Sequence, residues 1–375
     1  MAKFDVGIVG GGIAGLSAAW HLCSQVDATI LLMDKGRIGD PTKTSPFTFV
    51  DIVEKYSLQD AVAQKYTRFT YRSPTGVAAT FNFNEPVFAT LDYEKACKIL
   101  LERIRNKGNV EVMENTGVLN YGIGKSFFRT ENLTLSLSKS KTVIVDVMID
   151  ASGKSFFAAK TLGIPLPPLY SHPYGEFLEG CDVENPEEWC LFSGKKYGNG
   201  GGWFYPVGKN AARYGFAMVT HSLDYPRALV EENFKTAREK FYPYNEMTRG
   251  ARIRAPEWGT IPLGALKKFV FGRVLIVGDA AGQATPWLCE GLRPALESGE
   301  LCAKTIAGAY KQRKWSSKNL NKYQKEWDAR NRRRYLEAQN GVLWFKSQEE
   351  WDNSVKWLSK LSASRLISQL RECGC

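Results

Sequence analysis

The stretch Phe4–Gly15, FDVGIVGGGIAG, constrains this chain more than any other. A short apolar run, Val6–Val9, reads as a buried strand and leads straight into Gly10-x-Gly12-x-x-Gly15, and Leu16–Cys23 then reads as helix. Each glycine has a physical reason. Gly10 lets the chain turn off the strand, Gly12 lets the backbone come close to a pyrophosphate, and Gly15 lets the helix pack tightly on the strand. The helix N-terminus then faces the phosphates. Glycine-rich turns are common, so the context decides. Here a second apolar strand, Ala28–Met33, follows the helix and ends in Asp34. That acid lies nineteen residues beyond Gly15, close to where a carboxylate meets an adenosine ribose. A carboxylate there also disfavours a 2′-phosphate. A tight strand–helix turn without a ligand is the competing reading.

At 375 residues the chain is long enough for two lobes, and its 24% charged residues suit a soluble globular protein. Nothing approaches the roughly 18 uninterrupted apolar residues of a membrane span. The apolar start is not a secretory signal, because Asp5 and glycines stand where its core and cleavage site belong. A cytoplasmic location is expected, with peripheral attachment to a membrane as the variant. The eight cysteines form no CxxC pair, and with His21, His172 and His221 they make no zinc set, so no metal is expected. They read as reduced, mostly buried thiols, and Cys373-Gly-Cys375 as a frayed tail rather than a dithiol or lipidation signal. A net charge of +11 favours an anionic surface or polyanion. No nucleic-acid module is recognisable, and nucleic acid is not an expected partner.

Along the chain, residues 1–35 read as βαβ and 35–46 as loop. A helix is expected over Val50–Gln64, then a hairpin, Tyr66–Tyr71 and Val77–Phe83, around the turn Ser73-Pro74-Thr75-Gly76. Apolar residues at 93, 96, 97, 100, 101 and 104 predict a helix over Asp92–Lys107. Strands are expected at Val110–Met113, Leu133–Leu137 and Thr142–Ile149, the last ending in Asp150-Ala-Ser-Gly153. From 165 to 262 the chain alternates in the strand manner, with Gly202–Pro206 and Tyr214–Thr220 prominent and a helix at Leu229–Phe241. Arg273–Val277 is again a buried strand, followed by Gly278-Asp279-Ala280-Ala281-Gly282 and a long helix, Gly291–Tyr310. Gly124-Lys125-Ser126 and Gly153-Lys154-Ser155 look like the end of a P-loop. Leu119 and Met148 stand where its first glycine is required, so neither is a triphosphate site.

Three separated motifs, Gly10-x-Gly12-x-x-Gly15, Asp150-Ala-Ser-Gly153 and Gly278-Asp279-Ala-Ala-Gly282, occur in the order seen in FAD-dependent oxidoreductases of the glutathione-reductase-like class. Over residues 1–310 the chain resembles the branch containing hydroxybenzoate hydroxylase, flavin halogenases, lycopene cyclases and geranylgeranyl reductases. Within it, GDAAGQATPWLCEGLRPALESG most resembles the geranylgeranyl reductases, with Cys289 where the first glycine of a Gly-Glu-Gly-Ile turn is expected. Gly201-Gly-Trp203-Phe-Tyr205-Pro206 looks like the aromatic strand that roofs the substrate cavity. Two arginines of the family pattern are absent, from Ala89-Thr-Leu-Asp92 and from the residues after Ser155.

The resemblance implies an α/β, Rossmann-type FAD-binding domain within an α+β whole, built from 1–64, 92–164 and 263–310. An inserted antiparallel-sheet substrate domain would comprise 65–91 and 165–262; residues 311–375 lie outside the resemblance and read, from their own helical spacing, as a C-terminal helical cap. It implies non-covalent FAD held by Gly10, Gly12, Ile13, Ala14, Gly15, Asp34, Lys35, Val118, Gly153 and Gly278. Asp279 would meet the ribityl chain, and Glu290, Gly291 and Leu292 the pyrimidine edge of the flavin. Trp203, Tyr205 and Pro286 would line the substrate cavity. Without the resemblance, Trp203 and Tyr205 read as core aromatics on one face of a strand.

With no second GxGxxG and no redox CxxC, electrons are expected from transiently bound NAD(P)H or an external carrier. The expected reaction is reduction of C=C bonds in a hydrophobic isoprenoid substrate, with Cys289, Tyr205 or solvent giving the proton. The alternatives are a monooxygenase or halogenase-like enzyme on an aromatic, a redox-neutral isoprenoid cyclase, and a flavoprotein that only binds partners. In the tail, Trp344, Trp351, Val355 and Leu358 fall on one helical stripe, after a basic run with Trp315, Trp327, Arg330, Arg332, Arg333 and Arg334. A cap with solvated arginines is one reading. A cap that also leans on an anionic membrane is the other.

Overall fold

The computed structural model describes residues 1–40, 46–123, 132–138, 140–192, 194–341 and 347–372. Strand Ala2–Val9 carries the first sheet. It pairs in parallel with Ile30–Met33 on one side and Lys141–Asp150 on the other. Val110–Met113 and Val274–Ile276 extend the parallel pairing outward. Ile30–Met33 is buried at every position, and so are Val6–Val9 and Val274–Ile276. Parallel strands covered on both faces need such continuous apolar runs. Helix Ile13–Cys23 packs on this sheet and on the long helix Leu292–Lys311. Strands Val118–Ile123, which the alternation pattern did not reveal, and Leu133–Leu137 form an antiparallel edge.

A second sheet runs in the spatial order 252–258, 169–179, 211–220, 202–206, 188–192, 68–72, 78–82. Its pairings are antiparallel except Glu188–Phe192 against Arg68–Arg72. Helix Arg227–Lys240 covers it, burying Val230, Phe234 and Ala237 among Tyr214, Phe241 and Tyr244. The hairpin around Ser73–Gly76 forms as its turn sequence predicts, with Ser73 N–H donating to Val77 O.

The expected helix over 50–64 stops at Lys55. Ser57 turns left-handed at φ 50°, and Val62–Tyr66 becomes a strand paired with Phe88–Leu91, which also pairs with Phe47–Phe49. Tertiary pairing along an available strand edge overrides the helical spacing there.

The C-terminal segment is helical over Ser317–Trp327, Arg333–Gly341, Gln348–Leu358 and Ala363–Glu372. Trp327, Trp351 and Val355 are buried. Arg330 and Arg333 pair with Glu326 and Glu337 four residues away, and Arg332 with Asp328. Trp344, the Gly124–Ser126 stretch and Cys373-Gly-Cys375 lie outside the described residues. No helix of the described residues is long and apolar enough to cross a membrane.

Candidate functional site

A cavity of about 800 Å³ runs from the first glycine turn to the aromatic strand of the second sheet. Two helices open onto it. At helix Ile13–Cys23 no side chain caps the first turn, so its N–H donors are left for a ligand. Gly10 adopts φ +108°, and a Cβ there would sit 2.3 Å from Ala151 O. At Gly15 a Cβ would fall 1.9 Å from Gly10 O, so this glycine sets the close helix–strand contact. A Cβ on Gly12 would meet only Tyr93 Oη, at 3.6 Å. The second helix, Leu292–Lys311, is likewise uncapped by any side chain, and Gly291 and Leu292 line the cavity.

Asp34 is held from below: Gly11 N–H donates to Oδ2 at 2.7 Å and Gly36 N–H to Oδ1 at 2.8 Å. Its carboxylate is thereby fixed at the end of strand Ile30–Met33, at the cavity wall. Asp279 lies on the one-turn helix Gly278–Ala281, with Oδ1 3.9 Å from where a Gly291 Cβ would stand. That turn is braced from the C-terminal segment. Gly278 N–H donates to Gln283 Oε1, whose amide donates to Tyr323 Oη, and Tyr335 Oη donates to Gln283 O. Sequence reasoning missed this support because its residues are forty or more positions away.

Ile13, Ala14, Lys35, Val118 and Gly153 also line the cavity, whereas Gly15 and Gly278 do not. At Gly278 a Cβ would lie 2.7 Å from Ala14 Cβ, so its contribution is close packing on the first helix rather than ligand contact. Glu290 lines the cavity, but its carboxylate faces protein. It accepts from Arg293 Nη2 and Nε and from Thr48 Oγ1, all buried or nearly so. Thr285 and Glu290 exchange two further bonds, which close the turn ahead of the long helix.

At the far end the cavity is apolar and aromatic. Trp203 and Tyr205 both line it, with ring centroids 6.3 Å apart, alongside Phe47 and Pro286. Trp287 and Trp351 add a second aromatic pair at 6.2 Å. The carrier of Trp351, helix Gln348–Leu358, is tied to the hairpin turn by Asp352, which accepts from Ser73 Oγ and Thr75 Oγ1. Cys289 also lines the cavity, in left-handed backbone, φ 54°. Apolar surroundings push its thiol up to about 11, with the Ser171 hydroxyl drawing it partly back. Burial lifts the Tyr205 phenol much further above its ordinary value.

The fold implies a resident FAD, and the residues fit one. The two uncapped helix N-termini suit a pyrophosphate and an electron-rich ring, and Asp34 is oriented to accept from a ribose. The cavity continues beyond them into a space lined by aromatics.

Residues 8–40 match a family of NAD(P)-binding Rossmann-like domains. The chain is 24% identical to digeranylgeranylglycerophospholipid reductase 3 of Methanosphaera stadtmanae, covering 98% of this chain and 94% of that protein. It is equally 24% identical to digeranylgeranylglycerophospholipid reductase 1 of Methanococcoides burtonii, over 87% and 79%. The crystal structure of a geranylgeranyl bacteriochlorophyll reductase-like protein from Thermoplasma acidophilum superimposes with a TM-score of 0.85. It covers 99% of this chain and 96% of that one at 19% identity. Along nearly its whole length the chain is thus similar to reductases of the geranylgeranyl-reductase-like kind, and it shares the fold of that FAD-dependent group. The similarity runs through the C-terminal segment as well, which sequence motifs alone had left outside.

Proposed function

We propose that the protein reduces C=C bonds of a polyprenyl lipid, using a non-covalently bound FAD re-reduced by NAD(P)H or an external carrier. The observation that carries this reading is the single cavity, phosphate-friendly at one end and walled by Trp203, Tyr205, Trp287 and Trp351 at the other. Two relatives named digeranylgeranylglycerophospholipid reductase support the substrate class. Bound FAD would supply the hydride.

The chain's own residues do the rest. Asp34 and the N-terminus of helix Ile13–Cys23 hold the nucleotide half, and Asp279 the linker. The N-terminus of helix Leu292–Lys311 favours negative charge beside it. The aromatic walls orient an extended hydrocarbon and exclude water. Saturation adds a hydride to one carbon and a proton to the other, and we assign that proton to Cys289 Sγ. A thiol raised to about 11 is still protonated at neutral pH yet far more acidic than the Tyr205 phenol. Solvent then returns a proton to the thiolate.

The test is anaerobic incubation of the reduced protein with polyprenyl lipids, read by mass spectrometry. Addition of two hydrogens per bond is expected. Unchanged mass with a new retention time would indicate cyclisation, and oxygen uptake on adding an aromatic would indicate a monooxygenase; either overturns the reading.

A further inference from the structure

A second pocket, of about 430 Å³, adjoins the main cavity. Lys154, Pro173, Trp258, Gly259 and Thr260 line both. Its character is different. Lys154, the lysine of the P-loop-like Gly153-Lys154-Ser155, is exposed and forms no ion pair among the described residues. The Arg227 guanidinium carbon lies over Trp258, 3.9 Å from the ring centroid, and 5.2 Å from that of Tyr174. Its ion pair with Glu231 is long, 3.7 Å from Nε to Oε2, and Lys235 holds the other oxygen of that carboxylate at 2.8 Å. Arg227 is also the first residue of helix Arg227–Lys240, whose N-terminus has no side-chain cap, with Pro226 at the cap position. The remaining wall includes Tyr225, stacked 5.4 Å from His172, and the exposed Asp224. Burial lowers the His172 imidazole below its ordinary value, the Ser222 carbonyl draws it partly back, and the Lys154 charge lowers it while Asp224 raises it.

Two cations and an uncapped helix end therefore meet at a pocket whose lining holds one carboxylate, Asp224, and which shares a wall with the main cavity. A hydrocarbon gains nothing from such a lining. An anionic oxygen cluster gains charge-assisted hydrogen bonds there and keeps contact with water. We propose that this pocket holds the phosphoryl head of an amphiphilic substrate whose isoprenoid chain lies in the main cavity. The proposal rests on the isoprenoid reading above and adds the head-group site and its residues. The phosphoryl group can belong to a glycerophospholipid or to an allylic diphosphate, and both present the same oxygens.

The experiment compares the FAD-loaded wild type with Lys154→Ala, Arg227→Gln and the double variant. Three substrates of equal chain length are used: a polyprenyl glycerophospholipid, a polyprenyl diphosphate and the free polyprenol. The ratio of kcat/KM for a phosphorylated substrate to that for the alcohol is expected to fall roughly tenfold in the double variant. The phosphorylated substrate that shows the fall identifies the source of the head. KM for it should rise with salt in the wild type and less steeply in the variants. An unchanged ratio in a folded, FAD-loaded double variant overturns the proposal, as does a change confined to KM for NAD(P)H. If the wild type reduces none of the three, the isoprenoid-reductase reading fails. Equilibrium binding of the same compounds to the oxidised holoprotein, followed by tryptophan fluorescence, then judges the pocket alone: phosphate-dependent binding lost in Lys154→Ala supports it, and phosphate-independent or absent binding overturns it.

Discussion

Cys289 is the residue at which sequence, conformation and chemistry meet. A left-handed conformation costs a non-glycine residue about 1 kcal/mol or more, and glycine removes that cost. Cys289→Gly should therefore be as stable as the wild type or slightly more so, with Tm raised by no more than about 3 °C, while losing its proton donor. Turnover should fall by roughly 100-fold or more, in both Cys289→Gly and Cys289→Ser, with FAD content unchanged. Full activity in both variants would assign the proton to solvent. The raised thiol also has a signature in pH. A donor must be protonated, so the alkaline limb of kcat should lie near pH 11, not near the 9.0 of an ordinary thiol. The same shift lowers stability above pH 9, because the unfolded thiol ionises where the folded one does not. At the other end of the cavity, Asp34→Ala removes an acceptor fixed by two backbone donors. It should weaken FAD retention roughly tenfold or more, the equivalent of about 1.5–3 kcal/mol, and Asp279→Ala should weaken it as well. Equal FAD affinity in both variants, measured by flavin fluorescence, would remove the ribose and ribityl roles.

Among the elements, helix Gln348–Leu358 contributes most that its own residues do not announce. Its start is encoded locally, by a capping box between Ser347 and Glu350. Its position is not local. Gln348 and Asp352 reach the turn at Ser73–Thr75, 275 or more residues earlier, and that contact brings Trp351 to the cavity. Burial by itself would raise the Asp352 carboxyl, but the Ser73 hydroxyl, the Gln348 amide and the Thr75 hydroxyl hold it below its ordinary value. The tether is therefore at full strength above about pH 4 and is lost as the pH falls further. Asp352→Ala should raise KM for a long polyprenyl substrate several-fold and leave FAD binding unaltered. A parallel loss of FAD would show that the helix supports the whole fold and not the aromatic wall. The helix misread over 50–64 teaches the complementary lesson. Its spacing suits a helix, yet Val62–Tyr66 finds the edge of Phe88–Leu91, and a partner that distant leaves no mark on local periodicity.

For the molecule as a whole, the net charge of +11 favours anionic surfaces, but the C-terminal arginines are not its obvious carriers. Arg330 and Arg333 already have glutamate partners one turn away, and Trp327 and Trp351 are buried, which leaves Trp357 as the exposed tryptophan of the described segment. We therefore expect binding to anionic vesicles at low salt, released at high salt, and unchanged in Arg330→Gln/Arg333→Gln. Salt-insensitive failure to sediment with either anionic or neutral vesicles would leave the C-terminal helices as a cap alone.

The glycine turn at one end of the cavity was legible in the sequence, because so tight a strand–helix junction demands particular backbone geometry. Gly10 and Gly15 sit where a single added carbon would collide with backbone at 2.3 and 1.9 Å, so no other residue can serve and the spacing survives as a readable pattern. Asp34 and Asp279 are readable for a related reason, since each follows a buried strand at a set distance from its glycines. The substrate end makes no such demand. Apolar walls can be built from many residues, and Trp351, Trp287 and Tyr93 carry no local mark that separates them from core aromatics. Nor does Lys154, whose neighbours in sequence resemble a loop it does not form. Only the tertiary structure brings Lys154 to Arg227 and Trp258, and Asp352 to Ser73. Those placements depend on the pairing of strands and the docking of helices far apart in the chain, where burial and charge are settled by the assembled surfaces and not by any one stretch.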